Sequence, residues 1–151
     1  MATSIEEFSF QLTSEALAEQ ERALAALRGR AGTVLAAASI AGSFLGAKSA
    51  AGSLDIWAVL ALLGFVLCVG SSIVVLLPHS LVFAFRGLPL LAKSDQLGVE
   101  DVREAYRAAG LWVEPHLETN GDKIGQLSAW FTVSCVLLAL EVVLWTISLT
   151  S

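Results

Sequence analysis

Residues 56–77 read IWAVLALLGFVLCVGSSIVVLL, an uncharged run closed by Pro78. A helix rises about 1.5 Å per residue, so roughly 20 apolar residues cross the hydrocarbon core of a bilayer. This stretch meets that length. So does Ser128–Leu149, in which Glu141 is the single charged residue. A third uncharged run, Thr33–Ala47, is shorter, but Ala50, Ala51 and Gly52 extend it beyond Lys48. The expected fold class is all-α: an integral membrane protein with three transmembrane helices plus cytoplasmic amphipathic helices. Its single membrane domain, 1–151, divides into a cytoplasmic helix (1–30), span one (31–52), span two (56–77), a cytoplasmic helical insert (78–127) and span three (128–149).

Composition agrees. Hydrophobic residues make up 56% of the 151, and mean hydropathy is +0.73. The segments left outside the spans are too short for a catalytic domain of ordinary size, typically about 50–250 residues. A formal charge of −5 argues against a nucleic-acid partner, which calls for a basic stripe. No P-loop, nucleophile elbow, dinucleotide-binding glycine turn or HExxH motif is present. The expectation is therefore a protein that is not an enzyme and needs no cofactor.

The nine Lys and Arg residues set the topology. Arg22, Arg28 and Arg30 precede span one, and Arg86, Lys93, Arg103, Arg107 and Lys123 lie between spans two and three. Only Lys48 falls between spans one and two. An excess of Lys and Arg marks cytoplasmic segments, which places the N-terminus inside and the short hairpin Lys48–Asp55 and the C-terminus outside. A cleaved signal peptide competes for the first run, with Ser49-Ala50-Ala51 as its cleavage site. The long lead carrying Glu6, Glu7, Glu15, Glu19 and Glu21 opposes it, since signal n-regions are short and basic.

Ser4 with Glu7 three residues on fits a capping-box helix start. Phe10, Leu17 and Leu24 then recur every seventh residue, as in an amphipathic helix or a short coiled-coil seam. After Pro78 the segment His79–Lys93 is apolar but broken by Gly87 and Pro89, which suits an interfacial piece or protruding last turns of span two. A helix is expected over Val99–Trp112, with Val99, Val102, Tyr106 and Ala109 on one face and Gly110 and Pro115 as its bounds. His116–Leu127 reads as a helical lead into span three.

Few residues in this chain are candidates for chemistry. Glu141 is the one ionisable group well inside a span, where such groups usually face a bundle interior or a water-filled path. Its plain alternative is a carboxyl hydrogen-bonded to a neighbouring Ser or backbone carbonyl as interhelix glue. Gly42 and Gly46, four apart with Ala38 on the same face, are candidate helix-packing positions; Gly64, Cys68 and Ser72 form a similar small stripe on span two. Close packing within one chain explains these stripes as well as self-association does. Cys68 and Cys135 read as small packing thiols, and His79 and His116 have no second ligand at metal-binding spacing. Trp57 and Trp145 near the outer boundary and Trp130 near the inner one suit an aromatic belt.

Leu27-Arg28-Gly29-Arg30-Ala31-Gly32-Thr33-Val34-Leu35-Ala36-Ala37 carries a helical lead into span one through a basic-Ala-Gly step. With the short outer hairpin, the cytoplasmic helical insert and the last span entered from a polar helix containing Lys123, the layout resembles small bacterial membrane effectors of the SLATT and Pycsar-effector kind. Arg28 and Gly29 stand where such proteins commonly carry an acidic residue. The resemblance implies an inner-membrane module that homo-oligomerises and breaches the membrane when a nucleotide-signalled antiphage response is triggered. This chain has no room for an ordinary cyclic-nucleotide-binding domain, so the cytoplasmic helices or a separate soluble protein would receive the signal. A non-conducting scaffold or accessory subunit that docks a soluble cytoplasmic partner is the alternative; a proton-coupled transporter has Glu141 alone in its favour.

Overall fold

In the computed structural model the described residues are 5–50, 55–83 and 102–150, and they are helical apart from short segments at the ends of α2. The elements are α1 (Ile5–Ala50), α2 (Ile56–Leu76) and α3 (Val102–Thr150). No strand occurs among these residues. Two of the helices, α2 and α3, are long and apolar enough to cross a membrane. The apolar run of α1 is too short within the described residues to meet that length. Ser4, the expected cap of α1, lies outside the described residues, as do Arg86, Gly87, Pro89 and Lys93 of the broken apolar segment.

The chain forms two compact units: Met1–Leu24 with Ser80–Ile124, and Ala25–His79 with Gly125–Ser151. Each of the longer helices, α1 and α3, contributes to both units. Pro115 corrects the sequence reading. It sits inside α3, as does Gly110, rather than ending a helix. A proline there removes one backbone donor and crowds the preceding turn. Packing on both sides outweighs that cost, because Ala109 and Val113 before it and Asn120 after it are buried.

A seven-residue period organises the buried positions of all three helices. In α1 they are Leu17, Leu24, Ala31 and Ala38; in α2, Ala61, Cys68 and Val75; in α3, Val113, Asn120, Leu127, Ser134, Glu141 and Ser148. Repetition at seven is the signature of side chains interlocking along a helix seam. The Phe10–Leu17–Leu24 spacing is thus the start of a longer pattern, and its continuation in alanine lets helix backbones approach closely.

In the first unit, α1 and α3 pack through Phe10 and Tyr106, whose rings lie 5.4 Å apart. Gln20 Nε2 donates to the Leu117 carbonyl at 2.9 Å. Asn120 clamps the extended segment after Pro78: its Nδ2 donates to the Val82 carbonyl at 2.9 Å, and its Oδ1 accepts from the Val82 N–H at 3.4 Å. His116 packs edge-on against Trp112 in the same helix.

Candidate functional site

The second unit distributes polarity inversely to a water-soluble core. Its buried side chains include Ser71, Ser72, Ser134, Glu141 and Ser148, while Leu63, Val66, Leu67, Val136, Leu140 and Val143 point outward and stay exposed. Soluble monomers rarely expose so continuous an apolar surface. Outward hydroxyls return to their own helix: Ser39, Ser43, Thr132 and Thr146 each donate to the carbonyl one turn back. Such back-bonding removes the cost of a hydroxyl in apolar surroundings. Two inward hydroxyls, Ser134 and Ser148, donate across to the other helix.

Those crossings build a seam between α2 and α3. At one end Asp55 caps α2, accepting from the Ala58 N–H at 2.8 Å, and also accepts from Ser148 Oγ at 2.7 Å. In the middle, a methyl group added at Gly64 would lie 3.6 Å from Glu141 Cβ, so the α2 backbone rests directly on the glutamate stem. Further on, Ser134 Oγ donates to Ser71 Oγ at 2.8 Å, and the Cys68 thiol reaches the Ser134 carbonyl at 3.4 Å. The partners run in opposite directions along the two helices, so the seam is antiparallel.

Glu141 breaks the pattern of satisfied groups. It is 0% exposed, and neither carboxyl oxygen has a hydrogen-bond partner among the described residues. Ser72 Oγ and Trp145 Nε1 are buried without partners in the same unit. Buried polar atoms are nearly always paired in folded proteins, so three such side chains on one helix pair call for a cause. The hydrogen bond to a Ser or carbonyl, weighed from the sequence, is absent among these residues.

The two candidate glycines part company. A methyl group at Gly42 would fall 2.8 Å from the Phe65 ring, so this glycine seats an aromatic side chain of α2 within the chain. At Gly46 nothing lies within 4 Å among the described residues. Trp145 is turned inward, against Ala58 and Ala61, with its ring tilted against that of Phe44 at 5.6 Å between centroids, whereas Trp57 and Trp130 are exposed. Cys68 and Cys135 are free thiols, the former fully buried.

At the far end of α2, the Leu77 carbonyl receives Arg28 Nη2 at 3.3 Å and His79 Nδ1–H at 2.7 Å. Cationic and N–H donors at a helix C-terminus offset its unpaired carbonyls and the negative end of its dipole. Among the described residues no group of three or more His, Cys, Asp or Glu is placed to hold a metal ion.

Sequence reading singled out Glu141 from its charge but missed Ser71, Ser134, Ser148 and Asp55. The available signal was the spacing of Asn120, Ser134, Glu141 and Ser148 in multiples of seven, polar residues on one face of an otherwise apolar helix. Compared with protein families, characterised proteins and solved structures, the chain matches none.

Proposed function

We propose that this is a multi-pass protein of a bacterial inner membrane that self-associates and breaches the membrane as an effector. Three helices would lie in the bilayer, with the N-terminus cytoplasmic and the C-terminus outside. The observation that carries the reading is the inverted second unit: apolar side chains outward, hydroxyls and an unpartnered carboxyl inward. Lipid suits that outer surface. Breach of the membrane, homo-oligomerisation and a nucleotide signal or soluble partner as trigger rest on the resemblance to SLATT and Pycsar-type effectors. The first unit, with its acidic α1 and basic Arg103 and Arg107, would be the cytoplasmic receiver.

The test is dye-reported membrane potential in bacteria carrying an inducible copy, with wild type beside Glu141→Ala and Gly42→Leu. Depolarisation by wild type and its loss in Glu141→Ala is the expected result, and Gly42→Leu should alter it by displacing Phe65. Leakage identical in all three would remove both residues from the mechanism. Wild type that leaves the potential untouched while co-purifying with a soluble protein would replace the effector by a scaffold. The exposed Ile5, Phe8 and Leu12, spaced along one face of α1, favour that second reading.

A further inference from the structure

We infer that the α2–α3 seam is the part of this protein that opens, and that the path it opens is cation-selective and runs past Glu141. The inference rests on the proposed membrane-breaching function and specifies how it is performed. Any aqueous path bounded by α2 and α3 must be lined by side chains that water can wet. The outward faces of both helices are dominated by Leu and Val, with Leu63, Val66, Leu67, Val136, Leu140 and Val143 all exposed, and the outward hydroxyls of Thr132 and Thr146 are taken up by carbonyls of their own helix. Their one polar face carries Ser71, Ser72, Ser134, Glu141 and Ser148, and each helix closes that face against the other. Water reaches it only if the helices part.

The closed seam is built to part at small cost. Its large apolar contact is confined to one end, where Leu144 and Trp145 pack on Ala58 and Ala61; from Gly64 onward the seam carries Cys68, Ser71 and Ser134, side chains that bury little apolar area, and apolar area is what resists separation. The hydrogen bonds across it include Ser134 to Ser71, Cys68 to the Ser134 carbonyl, and Ser148 to Asp55. Bonds of this kind between membrane helices are individually weak, since separated helices find other partners. Against them stand Glu141, Ser72 and Trp145, whose buried polar atoms have no partner among the described residues while the seam is shut. Water entering the seam supplies partners to all three. The open form therefore gains hydrogen bonds where the closed form lacks them.

The charge of the path follows from the same residues. Asp55 at one end and Glu141 in the middle are carboxyls, and no Lys, Arg or His stands among the buried residues described in this unit. Carboxylates lining a hydrated pore favour cations over anions. Arg28, at the opposite end of α2, is bound to the Leu77 carbonyl.

The experiment uses the full-length protein in planar bilayers under a tenfold KCl gradient. The wild-type current should reverse near the potassium equilibrium potential; reversal at zero or toward the chloride potential overturns the inference. A second measurement uses Ser71→Cys with Ser134→Cys on a Cys135→Ala background, oxidised with copper phenanthroline. A disulfide from the thiol introduced on α3 to either Cys68 or the thiol introduced on α2 ties the two helices together. The oxidised protein should lose at least nine-tenths of its current and recover it on reduction. Current persisting through a protein shown by alkylation to be fully cross-linked overturns the opening seam while leaving the membrane-breaching function in place. No current from wild type under any voltage overturns that function and the inference with it. A double variant that fails to assemble leaves the wild-type reversal potential to decide.

Discussion

A carboxyl group in the middle of a helix pair is tolerated by an opposite charge, by hydrogen bonds or by water. Glu141 has neither of the first two among the described residues. Leaving a buried polar group unpaired costs about 1–3 kcal/mol, and replacing it by an apolar group of similar shape can be neutral or stabilising. Glu141→Leu is therefore expected to raise stability by on the order of 1 kcal/mol in detergent unfolding, while abolishing any conductance that uses the carboxyl. A loss of stability in that variant would mean that the glutamate has a partner, and the opening argument would lose its driving force. Residues of this kind are legible in a sequence because charge inside an apolar run is conspicuous. Gly42 and Gly46 show the opposite case. Their shared spacing made them equivalent on paper, and only the position of Phe65 distinguishes a packed glycine from an open one.

At the scale of elements, the antiparallel seam depends on what happens at its ends as much as at its centre. Asp55 does two things there: it caps the first turn of α2 and receives the Ser148 hydroxyl. Loss of a carboxyl cap costs about 1 kcal/mol, and a hydrogen bond between membrane helices adds about 0.6 kcal/mol. Asp55→Ala should thus destabilise more than Ser148→Ala, and a double-mutant cycle should return a coupling near the smaller figure. Zero coupling would mean that the two side chains do not hold α2 to α3. Helix existence was legible from apolar length and from the seven-residue spacing at Phe10, Leu17 and Leu24. The boundary drawn at Pro115 was not, because the sequence registers the missing N–H locally while the burial of Ala109, Val113 and Asn120 that compensates for it is tertiary.

For the whole molecule, the proposed membrane reading allows two crossings or three, and the two differ in where the chain ends lie. Among the described residues, α2 and α3 meet the length for crossing on their own composition, and α1 does not. The basic residues argue for a third crossing. If α1 stayed on one side, both chain ends would lie in the same compartment, and the Arg22, Arg28 and Arg30 group would be across the membrane from Arg103, Arg107 and Lys123. The bias of Lys and Arg toward the cytoplasmic face opposes that arrangement. Crossing by α1 instead puts both basic groups inside. The small buried positions Ala31 and Ala38, and the seat that Gly42 makes for Phe65, are consistent with α1 packing tightly within an apolar layer. Reporters fused separately to the two ends decide the matter. A fluorescent protein that folds only in the cytoplasm should light at the N-terminus, and an alkaline phosphatase active only outside should work at the C-terminus. Both ends reporting the same compartment would leave α2 and α3 as the membrane pair and make the apolar part of α1 a helix laid along the surface. The seam would survive that outcome, since α2 and α3 build it alone; the three-helix reading would not.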